Sequence, residues 1–331
     1  MTAAAPRVAG LTTRHWRVVL VVGVLVLACV LPFLVSNYRT FQLTMMLVYA
    51  IALLGLNLLT GYNGQISLGH GAWFALGAYT TAIMIDQWGI PYYWTLPVAA
   101  AVCLVVGFLF GVPALRLRGH YLALATLALA LVIPQLLKYQ PLQPFTGGVQ
   151  GILILKPEVP WGLPINQDQW LYFFVLAITL VMFVLGWNLI RGRVGRALVA
   201  IRDHEVAAET MGVNNALYKS TVFGVSALYT GVAGALSAVV VQFVAPDSYN
   251  ILVSITLLVG IVVGGLASIS GAIFGAAFIQ FIPQVAESVS KAAPWAIYGV
   301  FLILLMFVMP TGIAGFIKWV SYRFLGTRGG D

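Results

Sequence analysis

The chain has 331 residues, of which 61% are apolar and only 8% are Asp, Glu, Lys or Arg. A soluble domain needs about 25% charged residues to cover its surface, so this composition excludes an ordinary cytoplasmic enzyme, a disordered chain, a collagen and a disulfide-stapled scaffold. The net charge of +8 and mean hydropathy of +0.98 fit an all-α polytopic membrane protein whose cytoplasmic loops collect Lys and Arg, and the charge requires no nucleic acid.

Hydropathy predicts about ten transmembrane helices, at 18–35, 41–60, 66–85, 92–112, 121–137, 169–190, 218–243, 251–266, 271–287 and 294–309. The first follows Arg7, Arg14 and Arg17 as a signal peptide would. It is too long for such a segment and lacks a small-x-small cleavage site, so it reads as an uncleaved helix. Ten spans put both termini on one side. With that side cytoplasmic, 13 of the 17 Lys and Arg residues lie inside and 4 outside. The expectation is a single transmembrane domain over 1–331. It has a cytoplasmic tail at 1–17, a cytoplasmic loop at 191–219, an external loop at 139–168 and a second cytoplasmic tail at 310–331.

No Asp, Glu, Lys or Arg falls in mid-span; Asp86, Lys138 and Glu287 lie at span ends. Intramembrane ionisable groups mark proton relays, ion pathways and voltage sensors, so a proton-coupled antiporter, an ion pump and a voltage sensor are disfavoured. A sodium site built from backbone carbonyls stays open. Energy for uphill transport then has to enter from outside the bilayer. Cys29 and Cys103 sit in apolar runs and read as small hydrophobes. His15, His70, His120 and His204 have no metal-ligand spacing. The sequence contains no phosphate-binding G-x-x-x-x-G-K-[ST] loop, nucleophile elbow or pair of catalytic carboxylates. It is therefore read as a non-enzyme with no catalytic residue, no metal and no cofactor of its own.

Gly107/Gly111, Gly260/Gly264 and Gly271/Gly275 are small-xxx-small faces that let helix backbones approach closely in lipid. Pro134 and Pro283 should kink their spans, with Gln135, Gln280 and Gln284 beside them. The most unusual stretch is polar and glycine-rich and runs from Asn57 to Gly71, through Tyr62, Asn63, Gln65, Ser67 and His70. It is either a broken helix whose polar groups face a solute pathway or a tight cytoplasmic turn.

The cytoplasmic loop contains a short predicted helix. Gly195 is expected to end the preceding element, Asp203 to cap the helix and Gly212 to follow it. Glu205 and Glu209, four apart on one face, call for a basic partner or free solvation. Ala197, Leu198 and Ile201 form an apolar stripe that also needs a partner. A short helix of this kind between two spans is a docking element.

At these segments the chain resembles a known family. Gly55-Leu-Asn-Leu-Leu-Thr-Gly-Tyr-Asn-Gly-Gln-Ile-Ser-Leu-Gly-His-Gly-Ala-Trp-Phe-Ala-Leu-Gly-Ala-Tyr79 is similar to the signature of branched-chain amino acid ABC importer permeases. Gly195-Arg-Ala-Leu-Val-Ala-Ile-Arg-Asp-His-Glu-Val-Ala-Ala-Glu209 is similar to that family's coupling segment. Leu115–Thr126, Thr146-Gly-Gly148 and Gly264–Gly271 fit as well, and the pattern is closest to the LivM type. The resemblance implies a type II-like importer permease in the bacterial inner membrane. Its implied partners are a LivH-type sister permease, two cytoplasmic ATPase subunits that bind ATP and Mg, and an external substrate-binding protein. It implies that Arg196, Arg202, Asp203, His204, Glu205, Glu209 and Gly212 form the ATPase-coupling segment. Asn57, Tyr62, Asn63, Gln65, Ser67, His70, Thr126, Gln135 and Gln280 are the candidates for lining the pathway. Many relatives carry an acidic residue in the fifth span where this chain has Leu129-Ala-Leu131. The solute thus stays open between branched-chain amino acids, urea, short amides and aromatic acids. A gradient-driven transporter or channel for a small polar solute is the alternative.

Overall fold

A computed structural model describes residues 9–114, 117, 119–160, 164–289, 291 and 294–325. Their long helices are α1 (Ala9–Leu34), α2 (Asn37–Leu56), α3 (His70–Trp88), α4 (Tyr92–Ala114) and α5 (His120–Leu137). After the short α6 (Gln143–Thr146) come α7 (Gln167–Arg191), α8 (Arg193–Asp203), α9 (Glu205–Thr210) and α10 (Asn215–Val241). The chain continues through α11 (Ile251–Gly264), α12 (Ile269–Val289), α13 (Pro294–Val308) and α14 (Gly312–Leu325). The predicted spans fall on these helices to within four residues at each end, except that α1 already begins at Ala9, inside the expected tail. Likewise α14 lies within the stretch expected to be a tail.

Eight segments among the described residues are long and apolar enough to cross a membrane. Helix α3 is not among them, and the described apolar part of α1, Val22–Leu34, is shorter. For α3 the reason is its position. It is buried between α4 and α10 and carries His70, Thr80, Thr81 and Asp86, so hydropathy undercounts a helix that faces protein rather than lipid.

Helices α2 and α10 form the centre and are buried over most of their length, whereas α5 and α13 expose most of theirs. The centre is close-packed because small residues meet across it. A Cβ on Gly77 of α3 would stand 1.9 Å from the Gly231 carbonyl oxygen of α10, and one on Gly234 would stand 1.9 Å from the Phe74 carbonyl oxygen. The predicted faces Gly260/Gly264 and Gly271/Gly275 pack on each other, joining α11 to α12.

The external loop is folded onto the bundle. Strand β1 (Ile152–Leu153) pairs antiparallel with β2 (Phe243–Val244), with Ile152 opposite Val244. Lys138 pairs with Asp247 at 2.5 Å, and Lys156 with Asp168 at 2.7 Å. The four ion pairs among the described residues join only groups assigned to the same side of the membrane.

Candidate functional site

Helix α2 does not simply stop. It widens into a π-helical turn over Asn57–Tyr62, after which 63–69 is irregular until α3 begins at His70. Single π-turns of this kind loosen the backbone ladder, often at functional positions. Here the widening lets Asn57 turn its amide onto the α11–α12 turn. Its Nδ2 donates to the Ser268 carbonyl oxygen at 2.7 Å, and its Oδ1 accepts from the Ala267 N–H at 2.9 Å. Gly61 leaves room for this, since a Cβ there would lie 2.1 Å from Asn57 Oδ1.

The rest of the break is fastened to three further helices. The Leu68 N–H donates to Thr126 Oγ1 of α5 at 2.9 Å, and the Gly71 N–H donates to Ser254 Oγ of α11 at 2.8 Å. His70 Nε2 lies 2.7 Å from Ser226 Oγ of α10, and Ser226 Oγ donates to the Gly55 carbonyl oxygen at 2.6 Å. Ser226 therefore accepts from His70, which puts the ring proton on Nε2 and leaves Nδ1 to accept from Ser67 Oγ at 3.1 Å. Asn57, Ser67, His70, Thr126, Ser226 and Ser254 thus each have a partner, as an apolar surrounding demands.

Asn63 and Gln65 differ. Among the described residues, both amide atoms of buried Asn63 and Oε1 of Gln65 have no hydrogen-bond partner. They line an open cavity of about 190 Å³ together with Ile201, Arg202, Glu205 and Lys219.

The 191–219 loop sits directly against this cavity, through Ile201, Arg202, Glu205 and Lys219. Gly192, in extended conformation, separates α7 from α8. Gly195, expected to end an element, lies instead inside the first turn of α8, where a Cβ would be 1.9 Å from the Ile190 carbonyl oxygen. The expected capping by Asp203 is also corrected. Asp203 closes α8, and His204, extended at φ −152°, is the N-cap of α9 without a side-chain cap bond. Asp203 is the last residue of α8, whereas an N-cap needs the extended backbone that His204 has. Gly212 does follow the helix, at φ +86°. Its N–H donates to Glu209, and the Val213 N–H donates to Ala208, a Schellman ending that requires a left-handed residue there. Glu205 has the basic partner its spacing called for, Lys219 at 2.6 Å. The stripe Ala197, Leu198 and Ile201 of α8 is buried against the chain's own bundle, whereas Val206 of α9 and Met211 just after it are 76% and 86% exposed.

Arg202 joins loop to break. Its Nη1 donates to the Gly61 carbonyl oxygen at 3.0 Å while Nε holds Asp203. Its stem passes under Gly64, at φ +73°, where a Cβ would stand 2.9 Å from Arg202 Cγ.

Of the expected pathway residues, the structure brings together Asn57, Tyr62, Asn63, Gln65, Ser67, His70 and Thr126. Gln135 is exposed nine positions along α5 from Thr126, and Gln280 is half-buried on α12. No hydrogen bond among the described residues ties either to the break. Gln284 instead accepts from Gln42 at 2.6 Å, linking α12 to α2. Ser226, Ser254, Ala267 and Ser268 were not singled out from sequence. Their only signal is a hydroxyl or a short turn in an apolar span, which by itself has no direction.

Residues 38–309 match the family described as the branched-chain amino acid transport system / permease component. The chain belongs to that family. It is similar to the high-affinity branched-chain amino acid transport system permease protein LivM of Escherichia coli, with 31% identity over 88% of this chain and 73% of that protein. It is also similar to LivH of Salmonella typhimurium, with 24% identity over 81% of this chain and 91% of that protein. A chain of PsaBC from Streptococcus pneumoniae in complex with Fab aligns over 84% of this chain and 93% of that one, with 12% identity and a TM-score of 0.42. The protein is thus a multi-pass membrane permease component.

Gly69 gives this permease a direct test of the break. A Cβ there would lie 2.8 Å from the Thr126 carbonyl oxygen. Gly69→Val should separate the break from α5 at a cost of about 1–3 kcal/mol. The expected result is a permease that inserts but transports poorly; normal uptake would make 63–69 a mere connector.

Proposed function

We propose that this permease is one of two membrane subunits of an ATP-driven importer for branched-chain amino acids or a closely related small solute in a bacterial inner membrane. Its partners are a LivH-type sister permease, two ATPase subunits at the cytoplasmic face, and a binding protein outside. The chain hydrolyses no nucleotide and binds no cofactor. ATP and Mg belong to the ATPase subunits. The observation that carries the reading is the seating of the loop: α8 is bonded to the break through Arg202, and the following α9 and its C-terminal turn leave Val206 and Met211 exposed.

In this mechanism an ATPase docks on Asp203, His204, Glu205, Glu209 and the turn at Gly212. Its closure moves α8, and Arg202 passes the displacement to Gly61 and thus to the break. Asn63 and Gln65 are the groups that find polar partners, solute or water, once the break shifts. A buried unsatisfied polar group costs about 1–3 kcal/mol, so it biases the present state towards a change that satisfies it. The folded external loop, with Leu153 and Leu155 exposed, receives the liganded binding protein. The whole chain acts as one transmembrane domain.

The test is to tag the chain in its native membrane, solubilise it gently and identify what co-purifies. Two P-loop ATPases and a second apolar permease are expected. A chain recovered alone, or as a homo-oligomer without ATPase, overturns the proposal in favour of gradient-driven transport. In the assembled importer, Asp203→Ala with Glu205→Ala should lower uptake about tenfold, within the usual range of coupling energies, while the chain still inserts. Unchanged uptake would remove the ATPase contact from these two carboxylates.

A further inference from the structure

The corner between α7 and α8 holds three arginines that no carboxylate neutralises. Arg191 ends α7 with its guanidinium carbon 4.0 Å above the Trp187 ring. Arg196 donates from Nη1 to the Arg191 carbonyl oxygen at 3.4 Å, and Arg193 opens α8 between them in the chain. All three are exposed. None takes part in an ion pair among the described residues, where Asp203 and Glu205 are engaged by Arg202 and Lys219.

Beside this cluster is an apolar groove of about 270 Å³. It is lined by Leu189 of α7, Val194 of α8 and the face of α10 from Leu217 through Thr221 to Val225. The eight helical rises from Leu217 to Val225 make it roughly 12 Å long, close to the ~15 Å hydrocarbon depth of one leaflet. Val194 stands at its cytoplasmic end, adjacent to Arg193. Trp187 and Arg191 are the aromatic and cationic pair expected at headgroup level.

A trough one leaflet deep, apolar along its floor and cationic at its lip, is complementary to a phospholipid with an anionic headgroup. An acidic protein surface would match the arginines but leave the groove unfilled, and a zwitterionic lipid would fill the groove but gain little from the arginines. We infer that an anionic phospholipid seats here, its phosphate against Arg193 and Arg196 and one acyl chain along α10. The lipid then supports α8, the helix that carries Arg202, so the inner leaflet acts on the geometry of the cytoplasmic loop. The inference rests on the cytoplasmic placement of that loop and not on the identity of any ATPase.

The test uses the full chain, in whatever assembly it purifies with, reconstituted in nanodiscs of mixed phosphatidylglycerol and phosphatidylcholine. After extraction, retained lipid is counted by native mass spectrometry. Preferential retention of phosphatidylglycerol is expected. Arg193→Gln with Arg196→Gln should weaken it roughly 25-fold, about fivefold per arginine. Thr221→Trp, which fills the groove without altering charge, should weaken it too, and inorganic phosphate should not compete. Equal retention of the two lipids overturns the proposal. So does wild-type retention in the arginine variant, or an unaffected Thr221→Trp, which would leave only diffuse surface attraction. If the arginine variant does not fold, the lipid comparison on the wild type and Thr221→Trp still decide.

Discussion

Gly77→Val should leave almost no folded permease in the membrane. Helices α3 and α10 touch backbone to backbone at this point, with a Cβ on Gly77 only 1.9 Å from the Gly231 carbonyl oxygen. A carbonyl on a buried central helix cannot swing away as a flexible side chain would. Overpacking a well-filled site costs about 1–3 kcal/mol when neighbours can relax, and here the whole of α3 would have to move off α10. That movement would also break the His70–Ser226 contact between the same helices. Membrane-fraction abundance and thermal stability in detergent would both show the loss. Gly299→Val is the control, because nothing lies within 4 Å of a Cβ there, and it should accumulate normally. Equal abundance of the two variants would mean that the α3–α10 contact does not set the stability of the bundle.

Arg202→Ala should separate ATP hydrolysis from uptake in the assembled importer. Its guanidinium makes two bonds at once, to the Gly61 carbonyl oxygen and to Asp203. The part-buried bond to Gly61 contributes about 1.5–3 kcal/mol and the exposed pair with Asp203 only about 0–1 kcal/mol, so the Gly61 bond is the one whose loss frees the loop from the π-turn. Uptake should fall tenfold or more, with about 1.4 kcal/mol corresponding to each factor of ten. Hydrolysis by the bound ATPases should continue. Arg202→Lys should restore only part of the uptake, because a single ammonium lacks the planar fork that spans both acceptors. The decisive quantity is the ratio of solute moved to ATP hydrolysed. Parallel loss of hydrolysis and uptake, which leaves that ratio unchanged, would place Arg202 at the ATPase contact alone, and wild-type values of both would remove it from the coupling route.

These expectations draw on different layers of information. The predicted spans fall close to the helices because their lengths and apolar content answer to the bilayer, a constraint written locally in the chain. The GxxxG-type faces at 260–264 and 271–275 were legible for the same reason, since spacing on a helix is local. The loop was partly legible. Gly212 and the need of Glu205 for a cation could be read from neighbouring positions, whereas the helix break at Gly192 and the cap at His204 could not. Those two depend on what Gly195 packs against and on α8 running on through Asp203.

The polar break shows where sequence stops. Asn57, Ser67 and His70 announce polarity in an apolar chain, but not which neighbours satisfy them. Asn57 is satisfied by the 267–268 turn and His70 by Ser226, each more than 150 residues away, and Ser67 is satisfied through His70. Gln135 and Gln280 look equivalent in sequence to Asn63 and Gln65, yet they lie elsewhere on α5 and α12. The sequence alone determined a polytopic membrane protein, its approximate spans and its two unusual segments, because hydropathy and glycine spacing act within one helix or one loop. The tertiary structure decided that α2 and α10 are central, that the break is fastened to four other elements, and that Arg202 binds the loop to it. Those outcomes rest on contacts between distant segments, and a hydrogen bond or a backbone approach exists only once both sides have been brought together.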